Sequence, residues 1–201
     1  MADLIDKRGL LDSPPADLRL DIGCGNHKRG PEWTGLDILD LPPVDLVGDV
    51  LEVLARLPDA AVTGVFTSHF LEHVAPLEQV LAEIARVLRP GGTLEVVVPH
   101  FSNPFFWSDP THRRAFGLYT FTYLAQNDLY EREVPDYGDR LPLRVTDQHV
   151  AFRQDPGYAV RARVMQAIEA AVNGSRGRQA FWEANLVWLL PCFELRITLE
   201  K

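Results

Sequence analysis

The sequence predicts an α/β protein with a doubly wound, mostly parallel sheet, and three observations carry that expectation. Strand-like and helix-like segments alternate from Leu18 onward, the order that gives parallel strands joined by right-handed crossovers. The segment TLEVVVP at 93–99 is apolar almost throughout, which suits a central strand covered on both faces. The stretch LRLDIGCGN at 18–26 runs a short apolar strand into a glycine turn. Open α/β sheets bind their ligands at the carboxyl ends of such strands.

In chain order, residues 1–16 read as an irregular or partly helical arm closed by Pro14-Pro15. Strands are expected at 18–22, 35–38, 44–47, 62–68 and 93–99. The clearest helix lies between the last two. Leu77, Val80, Leu81, Ile84, Val87 and Leu88 recur at helical spacing, Pro76 fits the first turn, and Pro90-Gly91-Gly92 stops it. Residues 101–140 break the alternation with aromatics, prolines and turn formers, and read as a substrate-side insertion after strand five. A strand at 141–152, a helix at 158–172 and an antiparallel C-terminal strand at 193–199 complete a single domain over 1–201.

The 201 residues give room for one full core with an insertion. A net charge of −8 argues against nucleic-acid binding, which needs a basic face. The basic clusters NHKRG, HRR and RGR are each too short to form one. No apolar run is long enough for a membrane span, and MADLIDKRGLLDSPPADL is too charged for a signal peptide, so a cytoplasmic protein is expected. Cys24 and Cys192 have no metal spacing and read as reduced thiols.

Three ligands compete for Asp21-Ile22-Gly23-Cys24-Gly25. A P-loop fails because no Gly-Lys-Ser/Thr follows. A dinucleotide fingerprint needs a small residue where Lys28 stands, and pyrophosphate needs a real helix N-terminus. Gly30, Pro31 and Gly35 interrupt the residues before Asp37, so at most a turn of helix fits. S-adenosylmethionine has no phosphate and tolerates that stunted crossover. Glycines let the backbone approach it, and Asp21 acts on its ammonium through water or through the turn's backbone. Asp37, with Ile38 beside it, accepts the ribose hydroxyls. Asp49 accepts from the adenine amino group while Val50 offers its N–H. Ser68 and His69 line the pocket.

These motifs, LDIGCGN, GLDI, GDV, SHFLEHV and LRPGGTLEVVVP, together resemble a Rossmann-type S-adenosylmethionine-dependent methyltransferase, most closely the small bacterial type 11 group. The resemblance covers roughly residues 18–125. PHFSNPFFWSDPTHRRAFGLYTF is similar to a subgroup linked with glycan biosynthesis. It implies a methyltransferase that converts S-adenosylmethionine to S-adenosylhomocysteine on a small-molecule or glycan acceptor. The shortened crossover departs from the family and puts its usual carboxylate contact in doubt, leaving Lys28 or Arg29 to supply it.

An acceptor hydroxyl wants a general base. His100 or His112 is the expected one, with His69 third. Phe106, Trp107, Arg113 and Tyr119 are expected to meet the substrate. Asp109-Pro110 reads equally as a helix start. His69-Phe70-Leu71-Glu72-His73 spells the H-x-x-E-H of a zinc hydrolase, but the segment is too short for the helix that chemistry needs. No metal is expected. A non-catalytic S-adenosylmethionine-binding sensor is the alternative, a homodimer is possible, and Trp182, Trp188 and Phe193 read as core or as a dimer contact.

Overall fold

The computed structural model describes residues 4–126, 129–130, 140–153 and 157–201. Its strands are β1 (Ile5–Asp6), β2 (Arg19–Ile22), β3 (Thr34–Asp37), β4 (Leu46–Val47), β5 (Val62–Ser68), β6 (Leu88–Pro99), β7 (Ala125–Gln126), β8 (Leu141–Ala151) and β9 (Glu194–Glu200). Helices are α1 (Val50–Arg56), α2 (Leu77–Val87), α3 (Thr120–Leu124), α4 (Ala159–Val172) and α5 (Arg176–Asn185). One sheet carries all nine strands in the order β1-β4-β3-β2-β5-β6-β9-β8-β7. Strands β4, β3, β2, β5 and β6 run parallel, and β9 enters antiparallel between β6 and β8. This is the expected architecture.

Apolar pattern explains each central element. Leu20 and Ile22 of β2 and Leu94, Val96 and Val98 of β6 are all buried. Helix α2 buries Leu77, Val80, Leu81, Ile84 and Val87 along one stripe, the i, i+3, i+4 face of an amphipathic helix. Arg86 from its last turn donates to the Leu54 and Leu57 carbonyls, at 2.7 and 2.9 Å. A cation thereby closes the C-terminus of α1 and ties the two crossover helices together.

Four elements differ from expectation. The N-terminal arm is neither irregular nor helical at Ile5–Asp6 but pairs antiparallel with β4, whose edge groups it satisfies. Helix α1 forms because Asp49 caps it, accepting from Leu51 and Glu52 N–H. Strand β6 begins at Leu88, so Pro90-Gly91-Gly92 lies within a bent strand; Gly91 takes φ 77° there. Helix α5 carries no apolar periodicity in the sequence, because it buries only Gln179 and Trp182.

Candidate active site

The parallel strands bring the glycine turn after β2, Asp37 at the end of β3, Asp49 after β4, Ser68 and His69 after β5, and His100 after β6 to one edge of the sheet. Gly23 and Gly25 both hold left-handed backbone, at φ 72° and 51°, conformations that favour glycine. Their surroundings differ. A Cβ on Gly23 would lie 2.7 Å from three atoms of Phe70, whereas one on Gly25 would meet nothing within 4 Å. Packing therefore explains Gly23, and open space lies beside Gly25.

The three acids of this edge are already engaged with backbone. Asp37 accepts from Gly25 N–H at 2.9 Å and from Leu39 N–H at 3.0 Å, one bond to each oxygen, so each keeps acceptor capacity. Asp21 is buried and accepts from Arg29 N–H at 2.7 Å, which fixes the loop after the turn. Burial raises its pKa against the pull of that N–H and of Arg29 and Lys28. Asp49 spends Oδ1 on the α1 cap; Val50, next along, is buried and Ile38 is exposed. Cys24 is buried, and its thiol is pushed up to about 12 by burial and then by the charges of Asp21 and Asp37. Only its backbone is suited to ligand contact.

Lys28 and Arg29 do not stand where the shortened crossover was expected to use them. Lys28 pairs with Asp45 at 2.8 Å. Arg29 pairs with Glu95 at 2.8 Å and lies over the Phe66 ring at 4.2 Å. Both cations are drawn toward the strand flanks rather than the turn.

Beyond β5 and β6 lies a cavity of about 440 Å³, lined among others by His69, Asn103, Phe105, Phe106, Asp109, His112 and Arg153. His69 lines it and its neighbour Phe70 packs on Gly23, so one side chain separates the cavity from the glycine turn. His69 holds φ 52°, a strained conformation for a residue with a Cβ. Its Nε2 faces Glu194 at 3.3 Å and its Nδ1 faces Glu72 at 3.4 Å. Glu194 and then Glu72 raise its pKa to about 9.

His100 is a correction. Its ring is wholly buried; Nδ1 accepts from Ser102 N–H at 3.1 Å and from the Ser102 hydroxyl at 2.7 Å, and Nε2–H donates to Glu183 at 3.1 Å. No ring atom remains for a substrate, and the residue latches β6 to α5. Ser68 is half-buried at the end of β5. His112 borders the cavity; its Nδ1–H donates to the Phe106 carbonyl at 2.9 Å and its Nε2 lies 3.6 Å from Asp109.

Of the four expected substrate residues, Phe106 lines this cavity. Trp107 is exposed and donates to the Phe101 carbonyl, Arg113 is exposed, and Tyr119 packs on Tyr130 with ring centroids 5.0 Å apart. Those three do not border it. Asp109-Pro110 starts no helix. Asp109 instead accepts from Thr111 N–H and hydroxyl, at 2.8 and 2.6 Å, closing a turn. Phe105, one of the insertion aromatics that read either as packing or as a substrate wall, lines the cavity too, whereas Asn103, Arg153, Phe193 and Glu194 were not anticipated, and Glu194 had no signal. A second cavity of about 290 Å³ shares Asn103, Phe105, Arg153 and Phe193 with the first and adds Arg161 and Met165.

Comparison with known proteins completes the picture. Residues 20–96 match the family described as a methyltransferase domain, of type 11. The chain is 35% identical over 103 residues to a malonyl-[acyl-carrier protein] O-methyltransferase of Serratia marcescens, covering 43% of this chain and 40% of that one. It is 33% identical over 112 residues to an S-adenosyl-L-methionine-dependent Diels-Alderase, iccD, of Talaromyces variabilis, covering 44% and 38%. The chain thus spans about two fifths of the length of these relatives. Among solved structures it is similar to a SAM-dependent methyltransferase from Archaeoglobus fulgidus, with TM-score 0.56, 19% identity and coverage of 92% and 86%. An S-adenosylmethionine-dependent methyltransferase from Mesorhizobium loti gives TM-score 0.53 at 12% identity, with coverage of 98% and 98%. Residues 20–96 therefore match a methyltransferase domain of type 11, and the sheet, with its crossover order and antiparallel β9, has the Rossmann-like fold of solved S-adenosylmethionine-dependent methyltransferases.

Proposed function

We propose that this chain transfers a methyl group from S-adenosylmethionine to a small-molecule or glycan-type acceptor held in the 440 Å³ cavity, by O-methylation, as one domain over 1–201 whose insertion lends Asn103, Phe105, Phe106, Asp109 and His112 to the acceptor side. One observation carries the reading: His69 lines that cavity while Phe70 touches Gly23, so acceptor space and glycine turn abut. The residues suit the cofactor. Open space at Gly25 admits it, Asp37 keeps acceptor capacity for the ribose hydroxyls, and Asp49 keeps Oδ2 beside Val50 at the adenine end. Asp21 acts through the loop it fixes rather than by direct contact. When bound, the cofactor supplies an electrophilic methyl on a sulfonium. The chain's part is to align the acceptor with it and exclude water, which is worth several kcal/mol of barrier. We assign the acceptor's proton-bearing atom to His112, which lines the cavity with one carboxylate, Asp109, at 3.6 Å from Nε2, whereas His69 lies between two carboxylates at 3.3 and 3.4 Å and His100 is enclosed. Phe106 packs beneath it, with ring centroids 4.8 Å apart.

A thermal-shift titration followed by methyl-label transfer tests this. S-adenosylhomocysteine at a hundred times its dissociation constant should add about 2.7 kcal/mol of stability, and NAD should add none. One relative is named a Diels-Alderase, so cofactor binding alone does not establish methyl transfer and the label must be followed into product. Binding without label transfer across hydroxyl, amine and carbon acceptors would replace this reading with a cofactor-binding module.

A further inference from the structure

We infer that Glu72, His73 and His112 form a binding site for a divalent transition-metal ion of the zinc class, beside the acceptor cavity that His112 lines. One ligand atom from each residue lies within 4.8 Å of the other two. Bonds of 2.0–2.1 Å in a tetrahedral site place ligand atoms about 3.3 Å apart, so the widest pair needs to close by no more than about 1.5 Å. Two imidazoles and one carboxylate leave the fourth position open, the donor count of catalytic rather than structural zinc.

Glu72 supplies the first reason to expect an ion. It is wholly buried, and neither carboxylate oxygen accepts a hydrogen bond among the described residues. Its neighbouring cation is His69, with Nδ1 3.4 Å from Oε1. A buried carboxylate so poorly compensated is costly, and a bound cation offsets that cost. The histidines supply the second reason. The Thr111 hydroxyl donates to Asp109 at 2.6 Å, so its oxygen accepts from His73 Nδ1–H at 2.9 Å. His112 Nδ1–H donates to the Phe106 carbonyl. Both rings are thereby fixed with the Nδ1 proton tied down and Nε2 outside any hydrogen bond among the described residues, the way ligating histidines are held, with the Asp109 carboxylate 3.6 Å from His112 Nε2. Arg113 N–H donates to the Glu72 carbonyl at 2.8 Å and staples the two segments together at the cluster.

The ion's role rests on the methyl-transfer reading; its binding does not. With the ion in place His112 is a ligand and not a base. An acceptor hydroxyl coordinated at the open position releases its proton to solvent. The oxygen pair then forms the bond to the methyl carbon as the carbon–sulfur bond breaks, its electrons passing to sulfur.

The test titrates Zn²⁺ into the full chain, stripped with chelator, and compares His73→Gln and His112→Gln. The expected result is one ion per chain with a dissociation constant below about 10 µM, weakened more than about tenfold in each variant. Far-UV spectra and S-adenosylhomocysteine affinity should stay unchanged. Anomalous scattering at the zinc edge should place the ion among the three side chains. Undiminished binding in both variants, an ion elsewhere, or no binding by a folded chain overturns the inference. Zinc binding lost in the variants of a chain that never binds S-adenosylhomocysteine would uphold the site and remove the methyl-transfer reading instead.

Discussion

Two glycines of one turn should fail in different ways when each becomes alanine. At Gly23 the new Cβ would sit 2.7 Å from Phe70 Cβ, Cγ and Cδ2, where ordinary contact begins at 3.4 Å. The left-handed backbone adds about 1–2 kcal/mol for an L-residue, and overpacking adds about 1–3 kcal/mol. Gly23→Ala should therefore destabilise by about 2–5 kcal/mol, or roughly 4–20 °C in Tm for a chain of this size. Gly25→Ala bears the backbone term alone, because its Cβ meets nothing within 4 Å. Its methyl instead enters the space assigned to the cofactor, so it should cost about 1–2 kcal/mol of stability yet weaken S-adenosylhomocysteine binding strongly. Chemical denaturation and calorimetric titration of both variants measure the contrast. In a Phe70→Gly background, which removes the three nearest atoms, Gly23→Ala should lose the overpacking part of its cost. If Gly23→Ala stays within about 0.5 kcal/mol of wild type, or the two glycines lose stability and affinity alike, the division between packing and ligand space is wrong.

Three further outcomes follow from the same edge of the sheet. Asp49→Ala should destabilise by about 1 kcal/mol through loss of the α1 cap, and Asp49→Ser should restore that stability without restoring cofactor affinity; a full recovery of affinity in the serine variant would remove the adenine contact. Cys24, held at about 12, should alkylate about a thousandfold more slowly at pH 8 than an ordinary thiol, and tenfold faster for each pH unit gained; alkylation at the rate of the unfolded chain would contradict its enclosure. Burial alone would raise the Asp45 pKa, but Lys28 and the Gly35 N–H bring it below its ordinary 3.8. A lowered carboxylate contributes stability that is present above the unfolded value and lost as pH falls through the folded one. The wild-type advantage over Asp45→Asn should accordingly be full at neutral pH and fade in acid, as read by denaturation at several pH values; a gap that persists unchanged to pH 2 would show that charge is not its source.

The sheet was legible because its strands are written in apolar runs that leave little choice of face. Leu20, Ile22, Leu94, Val96 and Val98 could not be placed in water at tolerable cost, and glycine, proline or acid follows each run. What was not legible rests on backbone pairing or on one polar bond. Strand β1 exists because β4 offers it an edge, and Ile5 itself is exposed. Helix α5 turns on Trp182 and Gln179 in an otherwise polar segment, and Gln179 is buried because it donates to the Gln148 carbonyl at 2.8 Å. Neither interaction leaves a periodicity to read.

The histidines show the same limit at the site. His69 and His73 share a motif, yet the left-handed backbone at His69 turns it toward Glu194, while a tight turn over Leu71–His73 carries Glu72 and His73 toward the insertion. The zinc-hydrolase reading fails for the reason its spacing suggested, since no helix aligns the pair. Half of that motif nonetheless meets half of another, with the His73 and His112 rings 4.8 Å apart. The bond that brings them together runs from Arg113 N–H to the Glu72 carbonyl, between groups every residue possesses. Side-chain patterns encode what a segment buries and can donate; they do not encode which two loops share a backbone hydrogen bond. A cluster assembled across such a bond is therefore invisible to spacing, however distinctive its residues, and only the folded chain displays it.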